Sequence, residues 1–499
     1  MPALQERSLA KNYIFNILYQ LAAIAFPLVT TPYLSRVLGA EGIGRFSFAG
    51  SIISYFVLIA TLGTSLYGQR LIARVQHQPK VRTHFFVELQ LLRSITAVLS
   101  AGAFCLLLPH TVDPLLYAVI AVQILAVSAD ISWFYQGLEH FGRIAFSTLV
   151  GKGAACLLIF LLVKERADLV TYAAIYVGAL LLSYLPMWLT LPHYLVRVRR
   201  WRPKLRAHFL LALGLFLSQL AIQIYTVVDK TMIGLITRSE AQNGYYEQAQ
   251  RLIRVGVMLV TAMGAVVASR VALLHKEKKK EELSLLLHRS ARLALALSLP
   301  LCGGIMLIAE RFTPLFFGEG YTPVISLLLV LAPMIPVIGI SNVIGVQLFA
   351  ATGRERLLSL SVGCGALLNI ALNLILIPRY GALGAAVASL VAEVLVTLSQ
   401  CVLARHELSC VSLLRLLLRY GALSAVAIGA GLGVSLAVGE GILPLACIIL
   451  PLCWSMQRFC CCCATPCLPF FAASVRNSAW GFRFRPKDSR CWSYKTLPA

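Results

Sequence analysis

Residues 208–236 read HFLLALGLFLSQLAIQIYTVVDKTMIGLI, an apolar stretch long enough to cross a membrane but interrupted near its end by Asp229 and Lys230. A spanning helix needs about 20 mainly apolar residues. Similar stretches recur along the whole chain of 499 residues, of which 59% are hydrophobic and 13% charged, with a mean hydropathy of +0.80. A soluble domain of ordinary composition is far less apolar. The sequence therefore predicts a polytopic membrane protein.

About fourteen segments have the length and composition of a membrane span. We expect them to be α-helices, because hydrocarbon offers backbone groups no partner except one another and the alternation typical of a membrane β-barrel is absent. The fold class is therefore predicted to be an all-α membrane protein. The predicted spans are 12–37, 43–67, 84–108, 115–136, 144–163, 169–192, 208–236, 246–272, 287–309, 322–350, 357–377, 381–404, 412–436 and 441–457.

The basic residues are concentrated in alternate loops. The richest loops are 197–206 and 276–292, whereas the intervening loops hold few cations, such as Lys164 and Arg238. Cytoplasmic loops carry an excess of Lys and Arg, so the pattern places both termini in the cytoplasm. These loops explain much of the net charge of +23 through topology and contact with anionic headgroups. Membrane lipids, and no nucleic acid, are the partners expected from this charge.

The short loops limit what the chain can do. None is longer than about twenty residues, which leaves no room for an extramembrane catalytic domain of the usual size of about 50 residues or more. The sequence also lacks the GxxxxGK[ST] loop that binds nucleotide phosphates. We therefore expect no enzyme activity, no cofactor and no metal site. An ion gradient or the membrane potential is the default energy source.

Two pairs of short segments indicate an internal duplication. Residues 150–154 (VGKGA) resemble 362–366 (VGCGA), and the surroundings of Gly44 resemble those of Gly244. Both offsets agree with a repeat of six helices, which keeps the two copies in the same orientation. Parallel six-helix repeats are a transporter architecture whose substrate path runs between the halves.

Charged residues inside the predicted spans are candidates for function. A charge at the centre of a membrane helix costs about 2.5–3.5 kcal/mol on insertion scales, so such residues usually face a bundle interior or a watery cavity. Asp229 and Lys230 are adjacent and point about 100° apart, so each needs its own surroundings. The following helix carries Arg251 and Arg254 on one face. Further candidates are Arg36, Asp130 and Glu393.

Two interpretations of these charges remain open. Each charge could snorkel to the interface or form a structural ion pair, an interpretation that is stronger for Arg36 and Glu393. The four charges of Asp229, Lys230, Arg251 and Arg254 instead favour a polar cavity that they share, because they lie on consecutive helices. Arginine and lysine in such a cavity would hold an anionic group, phosphate above all, by charge-assisted hydrogen bonds.

Seven segments, taken in order, resemble the polysaccharide flippases of the multidrug/oligosaccharidyl-lipid/polysaccharide exporter superfamily. The resemblance extends from about residue 10 to residue 457 and rests on the order and spacing of the segments together. They are KNYIFNILYQ (11–20), TPYLSRVLGAEGIGRFSFA (31–49), SWFYQGLEHF (132–141), VVDKTMIGL (227–235), NGYYEQAQRL (243–252), FAATGRERL (349–357) and NLILIPRYGALGAAVASLVAE (373–393).

The resemblance implies two six-helix lobes in a V, which rock to open a central cationic cavity to either side of the bacterial inner membrane. Its cargo would be an undecaprenyl-diphosphate-linked oligosaccharide for O-antigen, capsule or exopolysaccharide. A glycan polymerase and a chain-length regulator would be candidate partners. Carried onto this chain, the substrate-binding cations are Arg36, Lys230, Arg251 and Arg254. The candidates for coupling to an ion or proton are Asp130, Asp229 and Glu393.

The resemblance also suggests how the chain divides. We expect an N-terminal six-helix lobe at 1–199, a C-terminal six-helix lobe at 200–404, two additional transmembrane helices at 405–458 and an atypical tail at 459–499. The tail is rich in cysteine and basic residues, but its four consecutive cysteines lack the spacing of a zinc site. Its abrupt change of composition favours a shifted reading frame.

Three other functions compete with the flippase hypothesis. A multidrug exporter of the same superfamily would carry small cationic amphiphiles, which a basic cavity disfavours. A polytopic glycan polymerase or glycosyltransferase would act on the same lipid, but such enzymes generally need a long outer loop. A scaffold in a glycan assembly complex would not require charges at membrane depth.

Overall fold

The computed structural model describes residues 2–197, 203–262 and 264–437 of the chain. Regular structure in these ranges is helical throughout, which confirms the predicted all-α class. The long helices are α1 (Pro2–Thr61), α2 (Thr64–Val75), α3 (Pro79–Leu107), α4 (Pro114–Ala129), α5 (Ser132–Gly137), α6 (Phe141–Leu162), α7 (Leu169–Thr190), α8 (Leu205–Thr237), α9 (Glu240–Thr261), α10 (Gly264–Lys276), α11 (Lys280–Phe317), α12 (Thr322–Leu331), α13 (Met334–Ile344), α14 (Glu355–Tyr380), α15 (Ala382–Leu403) and α16 (Cys410–Ala437).

The helices match thirteen of the predicted spans, with different limits at the breaks. Within α1 the backbone is non-helical at Gly39, which lies between the first two predicted spans. The second predicted span, 43–67, runs too far, because the chain turns at Leu62 and Gly63 with positive φ angles of 46° and 68°. A Cβ on Gly63 would lie 2.7 Å from the carbonyl oxygen of Ala212, so the turn packs tightly against α8.

Nine helices in the described part of the chain are long and apolar enough to cross a membrane, or ten if the bent pair α9 and α10 counts as one span. The count takes residues 25–75 as one helix although Gly39 breaks it. The predicted total of fourteen stays a prediction. Its last span, 441–457, lies outside the described residues, as does the tail at 459–499.

Buried apolar side chains form one large cluster within residues 232–420 and two smaller ones within residues 34–191. The large cluster includes residues of α16, which packs on α11 so closely that a Cβ on Gly303 would lie 2.1 Å from Ile428. We refer to the helices before and after residue 200 as the two halves. The exact limits of the lobes predicted at 1–199, 200–404 and 405–458 stay a prediction.

The two halves meet where α1 crosses α9, a contact called here the α1–α9 seam. A Cβ on Gly44 would lie 1.7 Å from the carbonyl oxygen of Glu240, and one on Gly244 would lie 1.9 Å from that of Ala40. The two glycines that the repeat matched are therefore in backbone contact across the seam. Ser35 adds a polar contact, since its hydroxyl accepts a hydrogen bond from the Gln248 amide at 2.9 Å.

The break at Gly39 divides α1 into a first arm, residues 2–38, and a second arm, residues 40–61. A second contact joins the halves beyond the other end of the second arm. There His208 of α8 lies 2.6 Å from the Glu88 carboxylate of α3 and 2.9 Å from the Tyr67 hydroxyl of α2. The halves therefore touch at both ends of this arm, and along it the Thr231 hydroxyl of α8 donates to Ser51 at 3.0 Å and lies 3.1 Å from the Tyr55 hydroxyl. A space remains beside these contacts.

Candidate functional site

A cavity of about 300 Å³ lies between the halves, next to the α1–α9 seam. Three of the four predicted cavity cations line it, namely Lys230 of α8 with Arg251 and Arg254 of α9. The opposite wall comes from α1, α4 and α7 of the N-terminal half. Its polar lining includes Ser47, Ser51, Ser54, Gln123, Tyr172 and Tyr176.

The cations converge on one carboxylate, that of Glu247. Lys230 Nζ forms an ion pair with Glu247 Oε2, and Arg251 Nη2 lies 3.2 Å from Glu247 Oε1. Arg254 is more distant, with Nη2 4.0 Å from Oε2, and also donates to Gln250 Oε1 at 2.5 Å. Glu247 was not among the site residues predicted from the sequence. A signal in the sequence could have identified it. Glu247 lies four residues before Arg251, so the two side chains are on the same face of α9 and can form an ion pair.

The four charged side chains differ in their access to the cavity. Relative exposure is 13% for Lys230, 11% for Glu247, 27% for Arg251 and 54% for Arg254. Three positive groups therefore face one negative group, and the most exposed of the four is a guanidinium. A local excess of cations in a cavity favours an anion, since charge-assisted hydrogen bonds are stronger than neutral ones. The planar guanidinium also suits bidentate contact with phosphate oxygens.

Asp229 points away from this cavity into the C-terminal half. It has surroundings different from those of Lys230, as expected for adjacent residues, but it does not belong to the polar cavity that it was predicted to share with the three cations. Its carboxylate is 2% exposed and accepts hydrogen bonds from Tyr246 at 2.6 Å, Ser389 at 2.5 Å and Asn373 at 2.7 Å. The Asn373 side chain leaves its own carbonyl oxygen buried without a hydrogen-bond partner. Asn369 belongs to the same group, since its side-chain oxygen accepts from Asn373 at 3.2 Å. The result is a buried carboxylate whose hydrogen bonds come from neutral groups.

Arg36 does not join the other three cations. Its guanidinium donates to the carbonyl oxygen of Leu315 at 2.6 Å, at a separate cavity of about 550 Å³ beyond the seam. Arg166 lines that cavity as well, and Glu41 and Glu319 balance the two positive charges. The predicted grouping of Arg36 with Lys230 is therefore not what the structure shows, because Arg36 lies on the side of α1 that faces the end of α11, whereas Leu34 on the same helix lines the cavity.

Asp130 and Glu393 also lie away from the cavity lining. Asp130 follows α4, accepts a hydrogen bond from the backbone of Ser132 at 2.9 Å and lies 3.6 Å from Arg93 Nη2. Arg93, which is only 1% exposed, also donates to the carbonyl oxygen of Val127 and to two hydroxyls. This matches the alternative of a structural ion pair. Glu393 is 9% exposed on α15.

No cluster of three or more His, Cys, Asp or Glu side chains suited to a metal ion occurs among the residues that the structure describes. The group around Asp229 contains one carboxylate and several neutral oxygens, which suits a proton or a weakly held monovalent cation better than a transition metal.

Comparison with known proteins finds transporters. A protein of Shigella dysenteriae that is described as an O-antigen transporter is 23% identical to this chain over 395 residues. The match covers 78% of this chain and 98% of that protein. Among solved structures, the lipid II flippase MurJ in an inward closed conformation matches with a TM-score of 0.70 at 14% identity. That match covers 92% of this chain and 100% of MurJ.

A multidrug resistance MATE family transporter of the MOP superfamily, in an inward-facing conformation, matches with a TM-score of 0.60 at 17% identity, covering 82% of this chain and 96% of that one. These two likenesses show the fold and leave the cargo open. The fold expected from the resemblance is thereby confirmed. The relatives are named for transport, in agreement with the expectation of a chain that is not an enzyme.

The family of polysaccharide biosynthesis proteins matches residues 9–268, which include both arms of α1 and all the charged residues of the cavity. The chain therefore belongs to the polysaccharide biosynthesis protein family and has the fold of the MOP-superfamily transporters.

Proposed function

We propose that this multi-pass membrane protein flips lipid-linked oligosaccharides, specifically undecaprenyl-diphosphate-linked repeat units, from the cytoplasmic to the outer leaflet of the bacterial inner membrane. The product would feed the synthesis of O-antigen, capsule or exopolysaccharide. Family membership and the transport functions described for the relatives support the flipping of a lipid-linked glycan. The diphosphate in the cargo is inferred from the cations of the cavity. The direction of transport is inferred from the distribution of basic residues among the loops.

The observation that carries the proposal is the cavity between the halves, with Lys230, Arg251 and Arg254 in its wall. Moving an unpaired phosphate charge through hydrocarbon would cost on the order of 20 kcal/mol in the Born limit. A cavity that offers cations and hydroxyls replaces the lost water contacts. The polyprenyl tail needs no such replacement and can stay in the lipid.

The size of the cavity requires the halves to move. About 300 Å³ is at the lower end of the range of about 300–1,000 Å³ for ligand pockets, so it accommodates a diphosphate but not a whole oligosaccharide. We infer that lobes at 1–199 and 200–404 separate alternately at the α1–α9 seam and at the contact of α8 with α2 and α3. Both termini would face the cytoplasm. A polymerase and a chain-length regulator would receive the product.

The proposal is tested by complementation of a bacterial strain that lacks its own repeat-unit flippase. Expression of the chain is expected to restore surface glycan and to clear lipid-linked repeat units from the inner leaflet, measured by glycan blotting and lipid extraction. Cationic-drug resistance in the same cells tests the multidrug exporter. Resistance without restored glycan, across strains that make several different repeat units, would contradict the flippase and favour drug export.

Asp229 is the proposed site of ion or proton coupling among the three acidic candidates. It is the buried carboxylate surrounded by Tyr246, Ser389 and Asn373, whereas Asp130 is paired with Arg93. Removing or adding a charge there changes the electrostatic energy of the half that contains it, so occupancy by a cation can bias one arrangement of the halves.

Asp229→Asn is expected to lower glycan transport at least about tenfold, because the amide keeps the size of the side chain but cannot take up a proton or a cation. The diagnostic measurement is the response of transport to external pH and sodium, which should be lost in Asp229→Asn. Asp130→Asn is the control. It should lower thermal stability through Arg93 while the ion response persists. A normal ion response in Asp229→Asn would exclude Asp229 from coupling.

A further inference from the structure

The Glu247 carboxylate sits where a phosphate group of the cargo would bind. Its two oxygens contact different cations, Oε2 with Lys230 and Oε1 with Arg251 at 3.2 Å. A carboxylate that bridges two cations uses the same donors that a phosphate would use. Cargo and Glu247 would therefore compete for the same positive groups.

Glu247 also ties α9 to α1. Ser47 of α1 donates its hydroxyl proton to Glu247 Oε2 at 3.2 Å, and the Glu247 carboxylate is only 11% exposed. Arg251 makes a parallel contact, donating to the Thr31 hydroxyl of α1 at 3.1 Å. The group that cargo must displace is thus one of the groups that hold the two halves together beside the seam.

We propose that Glu247 is an internal stand-in for the cargo's phosphate, and that displacement of Glu247 by the incoming phosphate loosens the α1–α9 seam. This inference rests on the proposed function and assigns Glu247 a positioning role that couples cargo binding to movement. A ligand shifts a conformational equilibrium only by its different affinity for the two arrangements. Competition supplies that difference, because the cations are available to phosphate only when Glu247 has left them.

The competition is measurable with inorganic pyrophosphate as the probe and the purified full-length protein in detergent. Charged hydrogen bonds contribute about 1.5–3 kcal/mol, so Glu247→Gln is expected to bind pyrophosphate about tenfold or more tightly than the wild type in titration calorimetry. Glu240→Gln is the matched control. It removes a negative charge from the same helix, but Glu240 is exposed and pairs with Arg45 outside the cavity. Its pyrophosphate affinity should equal that of the wild type.

Movement is followed by hydrogen–deuterium exchange of residues 40–54 in α1. Pyrophosphate is expected to raise exchange in the wild type. In Glu247→Gln exchange should be raised already without the ligand. Ser47→Ala, which removes the hydrogen bond between α1 and Glu247 but leaves Glu247 on its cations, should raise basal exchange and raise the pyrophosphate affinity less than Glu247→Gln does. A purely structural ion pair would not raise the pyrophosphate affinity in Glu247→Gln.

The possible outcomes separate the role of Glu247 from the cationic phosphate site of the proposed function. If the wild type binds pyrophosphate and Glu247→Gln binds it equally, the stand-in role of Glu247 is wrong and the cationic site survives. If pyrophosphate binds but leaves exchange in α1 unchanged, the coupling to the seam is wrong. If neither protein binds pyrophosphate, the cationic site itself is wrong and this inference falls with it.

Discussion

We expect surface glycan to be lost when Lys230 is replaced by Glu, in a strain whose glycan depends on this chain. The reason is that the change places a second carboxylate beside Glu247. Two like charges 4 Å apart repel by about 4 kcal/mol at an effective dielectric constant of 20. A cavity with two carboxylates also repels the cargo's phosphate. Since each 1.4 kcal/mol is a factor of about ten, we expect transport to fall by a factor of about a thousand.

The measurement is the amount of surface glycan per copy of the protein in the membrane fraction, which separates lost transport from lost insertion. Lys230→Arg keeps the charge and should keep most of the transport. Lys276→Glu makes the same charge reversal at an exposed position at the end of α10 and should leave transport intact. Normal glycan in Lys230→Glu, at normal protein level, would remove Lys230 from the mechanism.

Closure of the α1–α9 seam should fail when either crossing glycine gains a side chain. A Cβ on Gly44 would lie 1.7 Å from the Glu240 carbonyl oxygen, against a backbone that cannot rotate aside. Ordinary contact between these atoms requires roughly 3.4 Å, so α1 and α9 would have to move apart by more than about 1 Å at a packed crossing of small residues. We expect Gly44→Ala to reduce surface glycan about tenfold or more, since the cavity could no longer be closed at this end.

Gly50→Ala is the matched control for this prediction. Gly50 lies on the same arm of α1, and nothing lies within 4 Å of the position of its Cβ. Gly244→Ala should resemble Gly44→Ala, because its Cβ would lie 1.9 Å from the Ala40 carbonyl oxygen. The double variant should lose little more than either single variant, since the helices need to separate only once. Equal transport by Gly44→Ala and Gly50→Ala would show that the crossing need not close.

Much of the fold could be predicted from local composition. The break between the first two spans was predicted near residue 40, and the structure has it at Gly39. Limits were missed where tertiary contacts set them. The second predicted span ran past the turn at Leu62 and Gly63, which packs against α8. The predicted span 322–350 has the limits of the observed span Thr322–Ala350, and only the turn next to Pro333 that divides it into α12 and α13 was missed. Hydropathy counts apolar residues and does not register such turns.

The candidate site was predicted in part. Lys230, Arg251 and Arg254 could be grouped because they lie on consecutive helices, and helical geometry alone placed Asp229 on a different side from Lys230. The separate position of Arg36 could not be predicted in the same way, since it depends on how α1 packs against α11. Arg93 was missed as the partner of Asp130 because the two residues belong to different helices.

What the sequence by itself determined is the class of the protein, an apolar helical bundle with buried charges, because the membrane requires long apolar helices and makes each internal charge conspicuous. Only the tertiary structure decided which charges act together. Glu247 meets Lys230 from the neighbouring helix, Ser47 reaches it from the other half, and Gly44 meets Gly244 across the seam. These contacts join residues 17 to 200 positions apart, and distance along the chain carries no information about them. They follow from how closely the helices pack, which is a property of the whole bundle.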